Sequence, residues 1–321
     1  MAQIRIILGT MNFGSQISKQ KCPEFVNKFL EYGHKELDTA IMYVNGEAEK
    51  IIGTIPVCKD SDKVLLATKA NPDKGFSYDG VIKQLNTSLQ SLQVDRVDIF
   101  YLHWPDHKLP VEDTLKAVNQ LYQEGKFKEF GLSNFKSWEV VNVYHICKAN
   151  GWVLPTVYQG MYNALTRHVE GELFPALRKF GLRFYAYNPL AGGLLSGKYQ
   201  FQDIEEKKPP GRFFGLGGKW AESYRKRYWK KDYFDGIEMI RSVLDNQYGE
   251  GKVSVAEAAL RWMKHHSLLI PDDGIIIGGS KMEHLQSNLK AVEQGPLHED
   301  VVEAFDAAWK NVQGNCPTYY R

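Results

Sequence analysis

Short runs of apolar and β-branched residues alternate along the chain with longer stretches in which apolar positions recur at helical spacing. The first kind reads as buried strands and the second as amphipathic helices, because side chains alternate with period two along a strand and 3.6 along a helix. The strand segments are Ile4–Leu8, Glu36–Asp38, Val64–Thr68, Val97–Leu102, Glu129–Leu132, Val157–Gln159, Arg183–Tyr187 and Gly274–Ile277. Helical spacing covers Pro23–Tyr32, Tyr78–Leu92, Val111–Glu124, Trp138–Asn150, Glu170–Phe180 and Val255–His265. Gly33, Gly125, Gly151 and Gly181 follow such stretches where a left-handed residue ends a helix, and Ser137 and Ser254 precede them as N-caps.

Repeated strand-then-helix units predict an α/β protein with a parallel sheet, closed into a barrel or open and doubly wound. The spacing breaks once, from Pro189 to about Gly236. That segment holds Lys207-Lys208-Pro209-Pro210-Gly211 and Gly215-Leu216-Gly217-Gly218, and it reads as a mobile loop over an active face. No linker divides the chain.

In a barrel, the C-terminal ends of the strands converge on one mouth, so reactive side chains should follow the apolar runs. Asp38 ends Glu-Leu-Asp, Tyr43 follows it, Lys69 ends Leu-Leu-Ala-Thr-Lys and His103 ends Ile-Phe-Tyr-Leu-His. Taken singly, each has a structural explanation: a helix cap, a half-buried aromatic, a snorkelling cation, a hydrogen-bonded histidine. Taken together they make a site. Lys69, directly behind an apolar strand, needs an anion, and Asp38 on the adjacent strand supplies one. That cation is expected to lower the pKa of a neighbouring tyrosine from about 10, which makes Tyr43 a candidate general acid. Such a donor suits reduction of a carbonyl whose oxygen His103 holds, and hydride must then come from a cofactor.

Charge narrows the partners. With 40 Lys+Arg against 38 Asp+Glu, and Tyr224–Lys231 as the one notable basic stretch, nothing favours nucleic acid or a membrane surface. The first residues lack a signal peptide's apolar stretch and no later run is long enough to span a bilayer, so a cytoplasmic protein is expected. Cys22, Cys58, Cys147 and Cys316 have no C-x-x-C spacing, and His265-His266 ends a helical stretch without a third ligand, so no metal site or disulfide is expected. Gly192 to Lys198 has the form G-x-x-x-x-G-K, but Tyr199 stands where a phosphate-binding loop needs Ser or Thr. The fingerprint G-x-G-x-x-G is absent.

In chain order, Gly9-Thr10-Met11, Glu-Leu-Asp-Thr-Ala-x-x-Tyr, Ala-Thr-Lys, Tyr-Leu-His, Gly-Leu-Ser-Asn-Phe, Tyr-Gln and Tyr-Asn-Pro-Leu-Ala-Gly-Gly-Leu-Leu-Ser-Gly-Lys-Tyr resemble the aldo-keto reductases over nearly the whole chain. The resemblance is closest to the aflatoxin B1 aldehyde and succinic semialdehyde reductase group, through Leu-Pro-Thr-Val-Tyr-Gln-Gly-Met-Tyr-Asn, Gly-Arg-Phe-Phe-Gly and Cys-Pro-x-Tyr-x-Arg. It implies a single (β/α)8 TIM barrel domain over residues 1–321, with a long loop after the seventh strand and a C-terminal tail over the active-site face. It also implies NADPH as cofactor.

Residue by residue, Asp38, Tyr43, Lys69 and His103 fall on the family's catalytic tetrad. Ser133, Asn134 and Gln159, beside Asp38, fall where the nicotinamide carboxamide is held, and Tyr187 where an aromatic stacks on the ring. Asn188, Pro189, Leu190, Gly192, Gly193, Leu195, Gly197 and Lys198 fall on the stretch that wraps the pyrophosphate. Arg212, Gly278, Ser280, Lys281, His284 and Asn288 fall where the 2′-phosphate and adenine are received. Here the chain departs from the family, with His284 for a usual Gln or Arg and Ser287 for a usual Glu. Beside His103, the residues Tyr224, Arg227 and Arg321 fall on substrate positions where arginines receive a carboxylate, with Trp104, Phe213, Phe214, Trp220 and Tyr320 as aromatic neighbours.

The implied activity is NADPH-dependent reduction of aldehydes, reactive ketones and dialdehydes to alcohols, including small carboxylated aldehydes such as succinic semialdehyde and aflatoxin dialdehyde-like compounds. The alternatives are a non-catalytic NADPH-binding, redox-sensing subunit on the same fold and a Schiff-base aldolase with Lys69 as nucleophile. The expected partner is a small-molecule aldehyde. A homodimer, common in the close group, stays open because no interface is visible in the sequence.

Overall fold

Strand residues that are apolar on both faces need two cores, one enclosed by a barrel and one between the barrel and its helices. The computed structural model, which describes residues 3–205, 211–214 and 218–321, builds both. Its strands are β1 (Arg5–Gly9), β2 (Glu36–Asp38), β3 (Leu65–Ala70), β4 (Val97–Leu102), β5 (Phe127–Ser133), β6 (Pro155–Met161), β7 (Arg183–Tyr187) and β8 (Gly274–Ile277). They run parallel in sequence order, and β8 pairs with β1 to close the barrel. The fold is a (β/α)8 barrel, not an open sheet.

Ile7, Ala67, Ile99, Tyr101, Val157, Tyr185 and Ile276 fill the interior. Gly131 makes room for one of them: a Cβ there would stand 2.3 Å from Cδ1 of Tyr101. The outer core lies under α1 (Cys22–Glu31), α2 (Glu47–Gly53), α3 (Tyr78–Leu92), α4 (Val111–Gln123), α5 (Ser137–Ala149), α6 (Leu173–Lys179), α7 (Gly218–Tyr228), α8 (Lys231–Tyr248), α9 (Val255–His265), α10 (Met282–Glu293) and α11 (Glu299–Val312). Gly33 and the other three glycines expected to end helices all have positive φ, and Ser254 caps α9 by accepting from Glu257 N–H at 3.1 Å.

Three expectations need correction. Ser137 is the first residue of α5 and not its cap, because Lys136 is the extended residue ahead of the helix and donates its N–H to Glu139 Oε2 at 2.7 Å; the Ser137 N–H, a free donor of the first turn, goes to the Tyr319 hydroxyl at 3.1 Å. The helix expected from Glu170 starts at Leu173, after a separate 3-10 turn over His168–Glu170. The gap from Pro189 to Gly236 is not one long loop. It contains α7, and α8 already begins at Lys231. Gly236 lies inside α8, where a Cβ would meet Ala308 of α11 at 3.1 Å, so it serves close helix packing and does not mark a helix boundary. Lys207–Pro210 and Gly215–Gly217 of the expected loop lie outside the described residues.

Strand register brings the reactive ends to one rim: Gly9 pairs with Asp38, Lys69 with Tyr101 and Ser133 with Gln159. The tail crosses that rim, with Arg321 N–H donating to the Asn134 carbonyl at 3.0 Å. Among the described residues no helix is long and apolar enough to cross a membrane.

Candidate active site

Lys69 is the buried centre of the site. No part of its side chain is exposed, and its Nζ donates to Asp38 Oδ1 at 2.6 Å, to the Thr39 carbonyl at 2.6 Å and to the Tyr43 hydroxyl at 3.2 Å. Burial works against its charge, but Asp38 and Tyr43 more than offset that and raise its pKa. Gln159 Nε2 occupies the other Asp38 oxygen at 2.8 Å. The carboxylate is thereby held from two strands.

Tyr43 stands just beyond β2 in a tight turn, its ring 6.0 Å from that of His103 and at 75° to it. Its pKa is a further correction to the sequence reading. Burial raises it more than Lys69 lowers it, so the hydroxyl is a weaker acid than a free phenol. At neutral pH it therefore carries its proton, the form a general acid needs. Burial, then Lys69 and Arg321, hold His103 well below the ordinary histidine range, so its imidazole is neutral. His103 Nδ1 is buried without a hydrogen-bond partner.

A cavity of about 460 Å³ opens from this group along the rim. Asp38, Tyr43, His103, Ser133, Asn134, Gln159 and Tyr187 line one end. There Asn134 Nδ2 donates to the His103 carbonyl at 2.8 Å and the Tyr187 hydroxyl donates to Asn134 Oδ1 at 2.6 Å, which fixes the aromatic ring. Asn188, Pro189, Leu190, Gly192, Gly193 and Lys198 continue the wall, followed by Arg212, Gly278, Ser280, His284 and Asn288. Asn288 Nδ2 donates to the Gly278 carbonyl at 2.8 Å, and Ser280 Oγ pairs with His284 Nδ1 at 3.3 Å. Burial, Lys198 and Lys281 lower the His284 pKa.

Four of the expected residues lie off the wall. Lys69 is behind it, Leu195 is buried, Gly197 turns with φ 70° and gives its carbonyl to Arg241, and Lys281 is exposed ahead of α10. Gly192 to Lys198 leads from β7 into a broken 3-10 turn and not a helix, so the phosphate-loop reading fails on structure as well. The residues expected at the substrate, Tyr224, Arg227 and Arg321, also line the cavity. Arg212 donates to the Tyr224 hydroxyl at 2.7 Å, and the Arg321 guanidinium lies 4.6 Å over the Trp104 ring.

Met11, Asn12 and Gln16 also line the cavity, and Asn12 Nδ2 ties the β1 loop to the Gly279 carbonyl at 2.8 Å. They follow Gly9-Thr10-Met11 at a strand end, so the rule that found Asp38 and Lys69 applies to them too.

The sequence profile of the Aldo/keto reductase family matches residues 5–310. The chain belongs to this family. This aldo-keto reductase is an oxidoreductase, and it is 54% identical to "Aflatoxin B1 aldehyde reductase member 2" of Mus musculus over 98% of this chain and 87% of that protein. It is 52% identical to "Aflatoxin B1 aldehyde reductase member 4" of Homo sapiens over 98% of this chain and 96% of the relative. "Aldo-keto reductase family 7 member A3" of Homo sapiens is also 52% identical, with the same coverage. In this aldo-keto reductase Lys69 is buried, makes three hydrogen bonds and has a raised pKa, so it does not present the free amine that the aldolase alternative needs.

Proposed function

We propose that the chain catalyses NADPH-dependent reduction of aldehydes to alcohols. Tyr43 is the general acid, Lys69 and Asp38 set its charge environment, and His103 holds the carbonyl oxygen. One observation carries this reading: a protonated phenol and a neutral imidazole meet at 6.0 Å on one cavity wall, as a carbonyl oxygen gaining negative charge requires.

The residues fit a nicotinamide dinucleotide phosphate. Ser133, Asn134 and Gln159 offer amide-binding groups beside the Tyr187 ring. At the far end, no ion pair among the described residues neutralises Lys198 or Arg212, and Ser280 and His284 frame the N-terminus of α10. Cations and helix N–H groups suit a phosphate monoester, which favours NADPH over NADH. When bound, the dihydronicotinamide supplies hydride to the carbonyl carbon. The Tyr43 hydroxyl gives its proton to the oxygen, and Lys69 stabilises the phenolate left behind. His103 donates an imidazole N–H to the same oxygen and orients it.

Arg227 and Arg321 form no ion pair among the described residues, so a carboxylate remote from the aldehyde matches them. Succinic semialdehyde is a small substrate of that shape, and the relatives' printed names, which say aflatoxin B1 aldehyde, support extending the reading to compounds of that kind.

Loss of NADPH absorbance with succinic semialdehyde and with 4-nitrobenzaldehyde tests the reading. Turnover of both, with NADH far poorer, is expected. Tight NADPH binding with no turnover of any aldehyde would point instead to the redox-sensing alternative.

A further inference from the structure

The Tyr43 hydroxyl is delivered by backbone that the fold must hold against its preference. Val44, Asn45 and Gly46 follow with φ of 50°, 55° and 89°, three left-handed residues in succession and the first of them β-branched. Helix α2 starts immediately afterwards at Glu47, so its placement decides where Tyr43 sits. One end of α2 rests directly on α3, since a Cβ on Gly53 would come within 2.3 Å of the Ser91 carbonyl oxygen. Near the other end, a side chain of α2 is hydrogen-bonded to the barrel. Glu49 is fully buried, and its Oε1 accepts a 2.5 Å hydrogen bond from Thr68 Oγ1, on the residue before Lys69 in β3.

A carboxyl in that place is not explained by packing. Its Oε2 is buried and makes no well-aligned hydrogen bond, and burial raises its pKa above the ordinary carboxylate range against the pull of the Thr68 hydroxyl, of the nearby Ser88 hydroxyl on α3 and of the Lys69 charge. An apolar side chain would fill the same volume without that penalty. What the carboxyl adds is direction. We propose that Glu49 is a positioning residue for the acid pair: through Thr68 it locks the helix behind the Tyr43 turn to the strand that carries Lys69. It thereby sets the 3.2 Å between the Tyr43 hydroxyl and Lys69 Nζ. Glu49 itself does not reach the cavity wall. The inference rests on the reading of Tyr43 as proton donor.

The test compares Glu49→Gln, Thr68→Val, Thr68→Ser and Tyr43→Phe by kcat/KM across pH and by NADPH titration. Glu49→Gln and Thr68→Val should lower kcat/KM by about ten- to hundred-fold, the scale of a small misplacement of reacting groups, with the NADPH Kd kept within about two-fold. They should also move the alkaline limb of kcat/KM upward, because Tyr43 loses part of the charge that holds its pKa down. Thr68→Ser keeps the hydroxyl and should behave as the unmodified enzyme. If Glu49→Gln folds poorly, Thr68→Val decides, since it keeps the side chain's shape. An unmoved alkaline limb, or NADPH affinity falling in step with kcat/KM, would make Glu49 a structural anchor only and overturn the proposal. Full activity of Tyr43→Phe would instead bring down the reading of Tyr43, so the two failures are distinct.

Discussion

Lys69 Nζ stands 3.2 Å from the Tyr43 hydroxyl, and on that phenol the two strongest influences oppose each other. Burial disfavours the phenolate and the ammonium favours it. Burial prevails before substrate arrives, so the proton stays on Tyr43. In the proposed mechanism the ammonium matters once the proton leaves and the phenolate's negative charge must be held beside it.

Removal of the cation should expose how much of the fold depends on the pair. Lys69→Met leaves Asp38 buried without its counter-ion, which should destabilise the protein by about 3–5 kcal/mol. Adding Asp38→Asn removes the uncompensated charge, so the double variant should be more stable than Lys69→Met alone. Urea unfolding monitored by fluorescence measures both.

The neutral state of His103 has a signature in stability. Burial, Lys69 and Arg321 keep the folded site from taking a proton that the unfolded chain takes up near pH 6.5. The contribution of His103 is therefore complete above that pH and is lost as the pH falls below it. His34, His266 and His284 are lowered as well, so the comparison is with His103→Gln. Thermal unfolding between about pH 7.5 and 5.5 should show a smaller drop in Tm for the variant. Equal drops would mean that His103 titrates normally.

At the substrate end, Arg321→Ala should raise KM for succinic semialdehyde by about ten-fold or more, while KM for 4-nitrobenzaldehyde stays nearly unchanged. Only the first presents an anion to the guanidinium. Steady-state kinetics on both aldehydes decide it, and equal effects would remove the carboxylate contact.

For the cofactor, Arg212→Ala should weaken NADPH by about ten-fold, equivalent to ~1.4 kcal/mol, and leave NADH affinity nearly as it was. Fluorescence titration with each nucleotide gives the two constants. A parallel loss would place Arg212 elsewhere than at the 2′-phosphate, for instance as a support for Tyr224.

Much of the barrel can be read from the chain because its strands carry local signals. The expected bounds of β2, β4, β7 and β8 coincide with the observed ones, apolar runs closed by a polar residue or a glycine. α2 was not visible, since seven residues are too few to establish a period, and α10 and α11 follow the last strand, where no further strand frames them. Asp38, Tyr43, Lys69 and His103 were legible from their place at strand ends. The support around them was not, because contacts such as Gln159 to Asp38 join residues 121 positions apart. The direction of the Tyr43 shift was misread for a related reason: neighbouring charge can be inferred from sequence, whereas depth of burial is set by the whole fold.

The most direct test of Tyr43 as proton donor is a single-turnover measurement of NADPH oxidation by an aldehyde, comparing the unmodified enzyme with Tyr43→Phe. Loss of a positioned general acid predicts NADPH binding at unchanged affinity with hydride transfer slowed by about 10²–10⁴-fold. Hydride transfer at the unmodified rate would contradict it.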